Sequence, residues 1–388
     1  MFRVLAAMMA ILSQWVDHYS GILLLAALAG AVWNHWRLWQ RDRLLLRKRA
    51  TRACAPSFET WPSRPRVSVL VAAWNEAKRI ESHITSFQGL AYPNRELIVC
   101  AGGADGTYAL ARRCAGPNVT VIQQRPGEGK QHGLLRCLAH ARGEVIYLSD
   151  ADCEFSDEAF TRLIEPMARG EARVVTGISE PKAEQRANVL VQYQWYTDLL
   201  RSHQMPRNVD GLLGRNCALL RSVLESVGGF RAPVRTGTDY HLGKLLLQAG
   251  YEIRGVPHSH MATEYADSPR IYLRKWRRWI KNLLIHGYRF RAWKDVTGVL
   301  VALVLYSSIL VLPLLTPVLG LPAPAVSLLL FGTALANRYR RLAVGARLAN
   351  RKASWRNALA LPFYTVLDML AVLLAVRDSI NPKLRSQW

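Results

Sequence analysis

At 388 residues the chain can hold one sizeable domain, which usually takes about 100–200 residues, together with several membrane segments. Its formal charge of +23 invites a nucleic-acid reading, but the cations gather beside apolar stretches instead of covering one soluble face, which argues against a phosphate-tracking protein. The six cysteines form no Cys-x-x-Cys pair and Cys137-Leu-Ala-His140 stands alone, so neither a zinc site nor a redox motif is supported, and free thiols in a reducing compartment are expected.

In chain order, Val4 to Val16 is a short apolar stretch ending at Asp17 and His18, an interfacial helix or a second span. Gly21 to Trp36 is almost uninterrupted apolar sequence with Trp33, Trp36 and Trp39 at one end, close to the roughly 20 residues a bilayer span needs. The run Arg37 to Arg52 follows with seven cations against the single acid Asp42, the pattern of a cytoplasmic flank. A retained anchor therefore fits better than a cleaved signal peptide.

About 230 residues of alternating strand and helix patterns come next. Val67 to Val71, Glu96 to Val99, Val119 to Ile122 and Val145 to Leu148 are short β-branched runs separated by helical stretches at Ser82 to Phe87, Tyr108 to Cys114 and Gln131 to Ala141. That alternation predicts an α/β domain with a mostly parallel sheet, and ligands bind outside the carboxyl ends of such strands. Polar clusters fall at three of those ends: Ala72-Ala-Trp-Asn-Glu76, Cys100 to Thr107 with Asp105, and Ser149-Asp-Ala-Asp152. Each alone is an ordinary turn or cap; three in register on one edge mark a site.

Asp150 and Asp152 directly follow a buried strand, and a period of two sets both carboxylates on one side. Two hard oxygen ligands suit Mg²⁺ or Mn²⁺ bridging to a nucleotide diphosphate. Lys130, in Gly127-Glu-Gly-Lys130, is read on the loop before a helix, within reach of the nucleotide or its phosphates. Thr236-Gly-Thr-Asp239 opens a helix ending before Gly250. Leu273-Arg-Lys-Trp-Arg-Arg-Trp279 then packs four cations and two indoles into seven residues, and as a helix it sets Trp276 and Trp279 on one face. Apolar stretches at Val296 to Leu319, Pro322 to Ala336 and Ala358 to Val376 close the chain, with basic residues from Arg338 to Arg356 between them; Asp368 is expected to point into a bundle.

The order Val69 to Glu76, Asp105-Gly-Thr, Asp150-Ala-Asp152, Gly214-Arg-Asn216 before Val227-Gly-Gly-Phe230, Asp239, and Arg277-Arg-Trp279 resembles glycosyltransferase family 2. Within it the similarity is to the membrane-bound branch of cellulose, chitin and hyaluronan synthases and ceramide glucosyltransferases, over about Val67 to Trp279. The resemblance implies a nucleotide-sugar transferase type A fold, Rossmann-like and mostly parallel, with N- and C-terminal transmembrane helices. It implies that Asp152, helped by Asp150, carries Mg²⁺ or Mn²⁺, that Asp239 is the general base, and that the motif ending in Arg278-Trp279 serves diphosphate and acceptor. Donor contacts are assigned to Glu76, Asp105, Lys130, Asp150, Arg277 and Arg278, and acceptor contacts to Trp279 and Lys275. Two departures stand out: Cys100-Ala101-Gly102 replaces the usual Asp-Asp-Gly, removing the carboxylate contact to uracil, and Lys275 replaces the Gln or Arg that opens the later motif.

The expected organisation is a membrane segment at 1–40, a cytoplasmic glycosyltransferase domain at 41–269, an interfacial segment at 270–295, transmembrane helices at 296–376 and a tail at 377–388, in a bacterial inner membrane. The expected reaction is inverting transfer from a nucleotide-diphosphate sugar, a UDP-sugar by family preference, to a membrane-held acceptor, a lipid before a glycan. A short processive polysaccharide synthase and a degenerate relative that binds lipid or protein are the alternatives. No nucleic-acid partner is expected.

Overall fold

The computed structural model describes residues 2–47, 57–234 and 236–381, with side chains in the first helix from residue 21 onward except 23. The side chains of Val4 to Val16 therefore lie outside the described residues, as do Lys48, Arg49, Arg52 and Cys54. The chain divides into two compact units, one formed by residues 50–267 and one by residues 1–49 with 268–388.

A 46-residue helix α1 (Phe2–Arg47) comes first, so residues 41–47, expected to open the soluble domain, are its last turns. The soluble unit then runs β1 (Val67–Trp74), α2 (Ile80–Gln88), β2 (Arg95–Gly102), α3 (Thr107–Arg113), β3 (Val119–Gln123), α4 (Gly129–His140), β4 (Val145–Leu148), α5 (Asp157–Ala168), β5 (Val174–Pro181), α6 (Val189–His203), β6 (Cys217–Leu220), α7 (Arg221–Ser226), α8 (Thr238–Gln248) and β7 (Arg254–Thr263). The seven strands form one sheet in the order β3-β2-β1-β4-β6-β5-β7, parallel except where β6 runs against β4 and β5. The four β-branched runs are its first four strands. Their polar ends begin later than the sequence pattern suggests, because β1 and β2 stay paired through Ala72 with Cys100 and Trp74 with Gly102.

β1 lies inside the sheet and is covered on both faces, which is why it reads as a continuous apolar run. Its alternation still sorts the core. Val67, Val69, Val71 and Ala73 join Leu97, Val99, Phe87 and Phe160 on the face covered by α2 and α5. Leu70 joins Ile98, Cys100, Leu134, Leu224 and Leu246 on the face covered by α4, α7 and α8. Side chains such as Phe160 and Leu70, fully buried, each contribute about 1.5–3 kcal/mol relative to exposure. The two cores clamp the sheet, so its carboxyl edge becomes a fixed platform for the loops.

The helical unit comprises α1 with α9 (Pro269–Arg289), α10 (Trp293–Val311), α11 (Thr316–Leu319), α12 (Pro322–Leu348) and α13 (Trp355–Ile380). Among the described residues, two stretches are long and apolar enough to cross a membrane, Trp293–Leu319 and Trp355–Ile380. The stretch Pro322 to Ala336 is the apolar part of α12, which continues into Arg338, Arg340 and Arg341. Asp368 does point inward: it accepts from Arg338 Nη2 at 2.7 Å and from Tyr272 Oη at 2.6 Å. The basic stretches are less solvated than a flank pattern implies. Arg340 is paired with Asp42 of α1, both buried, and Arg277 of α9 is paired with the buried Asp378 of α13.

Candidate active site

Three loops at the carboxyl edge of the sheet are tied by side chains that the sequence marked. Asn75 takes a left-handed backbone at φ 58° and accepts from Ala104 N at 2.9 Å. Gly103 must stay glycine beside it: at φ 116°, an added Cβ would lie 2.3 Å from Asn75 Oδ1. Asp105 is spent in the same brace. Its carboxylate accepts from Ala77 N at 3.0 Å, Thr107 N at 3.1 Å and Thr107 Oγ1 at 2.6 Å, and Thr107 Oγ1 in turn accepts from Glu76 N. The Thr107 hydroxyl first, then the backbone amides, hold the Asp105 carboxyl below the usual range. Asp105 thus joins the β1–α2 and β2–α3 loops while remaining exposed at the edge of the sheet.

Glu76 binds Arg79 at 2.9 Å, and the same guanidinium reaches Glu264 at 2.6 Å. Burial raises the Glu76 pKa, Arg79 opposes the rise, and the nearby Asp152 and Glu264 charges add to it. Glu76 therefore faces Asp152 electrostatically across the edge of the sheet. Cys100 and Ala101, where the resembled family carries two acids, are fully buried in β2 and have no polar reach.

After Leu148 the chain leaves β4 and curls into a turn that carries Asp150 and Asp152, with Cys153 N bonded to Asp150 O at 3.1 Å. The turn is held from beneath. His83 of α2 is fully buried with Nδ1 2.7 Å from Cys153 O, and Phe155 N donates to Ser86 Oγ at 3.0 Å. Lys130 lies in the first turn of α4, not on the loop, and its ammonium is ion-paired with Asp150. Crowding by protein lowers the Lys130 pKa, but Asp150 and then Asp239 outweigh it and leave the group firmly charged.

Asp239 sits in the first turn of α8, behind a left-handed cap residue, Gly237, so it is not the cap itself. Its Oδ2 accepts from Gly214 N at 3.2 Å and its Oδ1 from Tyr240 N at 2.9 Å. A Cβ on Gly214 would lie 2.6 Å from Asp239 Cβ, so this close approach requires glycine. Asn216, two residues on, is fully buried: it accepts from Tyr147 Oη at 2.6 Å and donates to Ile178 O at 2.9 Å and Ser259 O at 3.0 Å. Gly214, Arg215 and Asn216 carry part of the family pattern, but residue chemistry alone assigned them no role. The Arg79–Glu264 pair and the His83–Cys153 contact carried no signal, because the partners are distant in sequence.

One unit therefore holds Glu76, Lys130, Asp150, Asp152 and Asp239, with Asp105 as a brace. Lys275, Arg277, Arg278 and Trp279 lie on α9 of the helical unit; Arg277 is committed to Asp378, whereas Arg278 and Trp279 are exposed. Among the described residues no three His, Cys, Asp or Glu side chains form a metal cage. The carboxylate pair on its own fits an ion that keeps most of its positions for phosphate oxygens and water, as Mg²⁺ and Mn²⁺ do.

The sequence profile described as "Glycosyltransferase like family 2" matches residues 65–282. Glycosyltransferase AglE of Haloferax volcanii is 24% identical over 49% of this chain and 64% of its own length. An N-acetylglucosaminyltransferase of Mesorhizobium japonicum is 26% identical over 58% of this chain and 57% of its own. The chain thus spans under two thirds of the length of these relatives. Among solved structures, a mannosyltransferase of Pyrobaculum calidifontis in complex with GDP-Man and Mn²⁺ shares the fold with a TM-score of 0.54 at 22% identity, covering 94% of this chain and 99% of that one. With the family profile matching more than half of its length, the chain belongs to glycosyltransferase family 2.

Proposed function

We propose that the protein transfers a sugar from a nucleoside-diphosphate sugar, with inversion, to a lipid acceptor held in the cytoplasmic face of a membrane. The observation that carries this reading is the convergence of the Asp150 and Asp152 turn with Asp239 in one unit, linked through Lys130. Displacement at an anomeric carbon passes through an oxocarbenium-like state, so charge must be neutralised at the leaving diphosphate and a base must take the acceptor proton on the other face. Asp239 is the base, its carboxylate aimed by Gly214 N and Tyr240 N. General-base help of this kind contributes roughly 10²–10⁴-fold.

Asp152, with Asp150, would hold Mg²⁺ or Mn²⁺, which when bound supplies Lewis-acid stabilisation of the departing diphosphate. Lys130 already sits on Asp150 and moves its charge to phosphate oxygens when a donor arrives. The family resemblance assigns Arg278, Trp279 and Lys275 to substrate contacts; Arg278 and Trp279 are exposed on α9. The apolar helices Trp293–Leu319 and Trp355–Ile380 support the membrane location, and their proximity in sequence to α9 favours a lipid over a soluble glycan.

The experiment is mass spectrometry of lipids and glycans from cells expressing the chain beside Asp239→Asn. A new glycolipid that disappears with Asp239→Asn and in excess chelator is expected. A new product that persists in both would remove Asp239 and the metal from the reaction, and a product found only among soluble glycans would replace the lipid acceptor.

A further inference from the structure

Arg215 lies between two residues that are locked in place, yet its own side chain makes no contact of that kind. Gly214 is pressed against Asp239, and Asn216 is buried with three partners from β4, β5 and β7. Among the described residues Arg215 makes no hydrogen bond and no ion pair, while it stays partly buried. Its surroundings are anionic. Burial weakens the hold of the guanidinium on its proton, but Asp152 and then Asp150 reverse this and raise it. Lys130 senses Arg215 as well as Asp150 and Asp239, so two cations and three carboxylates share one small region of the soluble unit.

The Arg215 guanidinium is partly buried without being sealed from water, and its N–H groups have no acceptor among the described residues, so a ligand that brings acceptors can take them up. A guanidinium matches phosphate oxygens with two parallel hydrogen bonds, and these are stronger than neutral ones. Three carboxylates against Lys130 and Arg215 leave the region slightly negative; a divalent cation on Asp150 and Asp152 makes it positive, the sign a diphosphate needs.

We propose that Arg215 binds a phosphate group of the substrate beside the Asp150 and Asp152 turn, with the Gly214 and Asn216 contacts holding its backbone ready. This rests on the transfer reading above and adds a phosphate ligand from the soluble unit itself. The phosphate belongs to the donor diphosphate or to a phosphate-bearing lipid acceptor, and the chemistry is the same for both.

The test is calorimetry on the full chain in detergent, for the parent, Arg215→Gln and Arg215→Lys, with Mg²⁺ and with chelator. The probes are UDP, GDP, uridine and dihexanoyl phosphatidic acid. Loss of a charge-assisted pair predicts about 10- to 100-fold weaker binding of UDP or GDP in Arg215→Gln, partly recovered in Arg215→Lys, with uridine unchanged. The same loss confined to dihexanoyl phosphatidic acid assigns the contact to the acceptor phosphate. Unchanged binding of all phosphate probes, or an equal loss with uridine, overturns the proposal, provided the variant melts at the parent temperature. Asp239→Asn runs alongside. Turnover that persists there sinks the transfer reading independently of Arg215, whereas loss of turnover there with full phosphate binding in Arg215→Gln sinks only the present inference.

Discussion

Asp239 shows how narrowly one side chain is set. Its carboxylate is aimed by a backbone N–H from Gly214, and the Cβ clearance of 2.6 Å leaves no room for another residue there. Gly214→Ala is therefore expected to push Asp239 off its position and lower turnover by roughly tenfold or more, since a small misplacement at a reacting centre is expensive. Gly211→Ala is the control: nothing lies within 4 Å of its added Cβ, so turnover stays within about twofold. Comparing kcat for the two variants checks this, and equal losses would show that the Gly214 contact does not aim the base. Of the residues read from sequence, Asp150, Asp152, Glu76, Lys130 and Asp239 share one unit, because each sits at or beside the carboxyl edge of a strand or the start of a helix. Asp105 is bonded to Thr107, two residues on in the same motif, whereas Arg277 is paired with Asp378 of α13, a long-range partner that no local pattern announces.

At the level of the elements, the helical unit is stitched by charges that its sequence presents as a solvated flank. Arg338 and Arg340, two residues apart on α12, point to opposite neighbours, since two residues turn a helix by more than half a circle. Arg338 reaches Asp368 of α13 together with Thr365 at 2.9 Å and Tyr306 of α10 at 3.0 Å, while Arg340 reaches Asp42 of α1. An ion pair out of water is worth little against an apolar isostere, but breaking one side leaves an uncompensated charge. Asp368→Leu is expected to cost about 3–5 kcal/mol, and Asp368→Leu with Arg338→Leu much less than that. Thermal unfolding in detergent measures both; a double variant as unstable as the single one would mean the pair does not act as a unit.

On the scale of the whole molecule, the excess of positive charge belongs largely to the helical segments. Of the nine cations between Arg270 and Lys294, Lys281 is buried and Arg277 is paired with Asp378, whereas Arg270, Arg274, Arg278, Arg289, Arg291 and Lys294 are exposed. Each exposed cation near an anionic leaflet contributes roughly 1 kcal/mol. Replacing Arg274, Arg289 and Arg291 with Gln is therefore expected to lower kcat/KM about tenfold with a bilayer-embedded acceptor and to spare a soluble short-chain one. The comparison in vesicles of anionic and neutral lipid decides it, and an equal response with both acceptors would separate this segment from acceptor capture.

The sequence by itself determined the α/β class, the first four strands, the polar clusters at their carboxyl ends and the family, because periodicity and short ordered motifs are local properties. Tertiary structure alone decided that Asp150 and Asp152 lie on a turn, that Lys130 starts a helix, that three further strands complete the sheet, that Asp105 bonds the backbone of the β1–α2 loop, and that Asp42 pairs with Arg340. The physical reason is common to all of these: a charged side chain reads the same whether it faces water, a substrate or a buried partner, and only the packing of distant segments chooses among them.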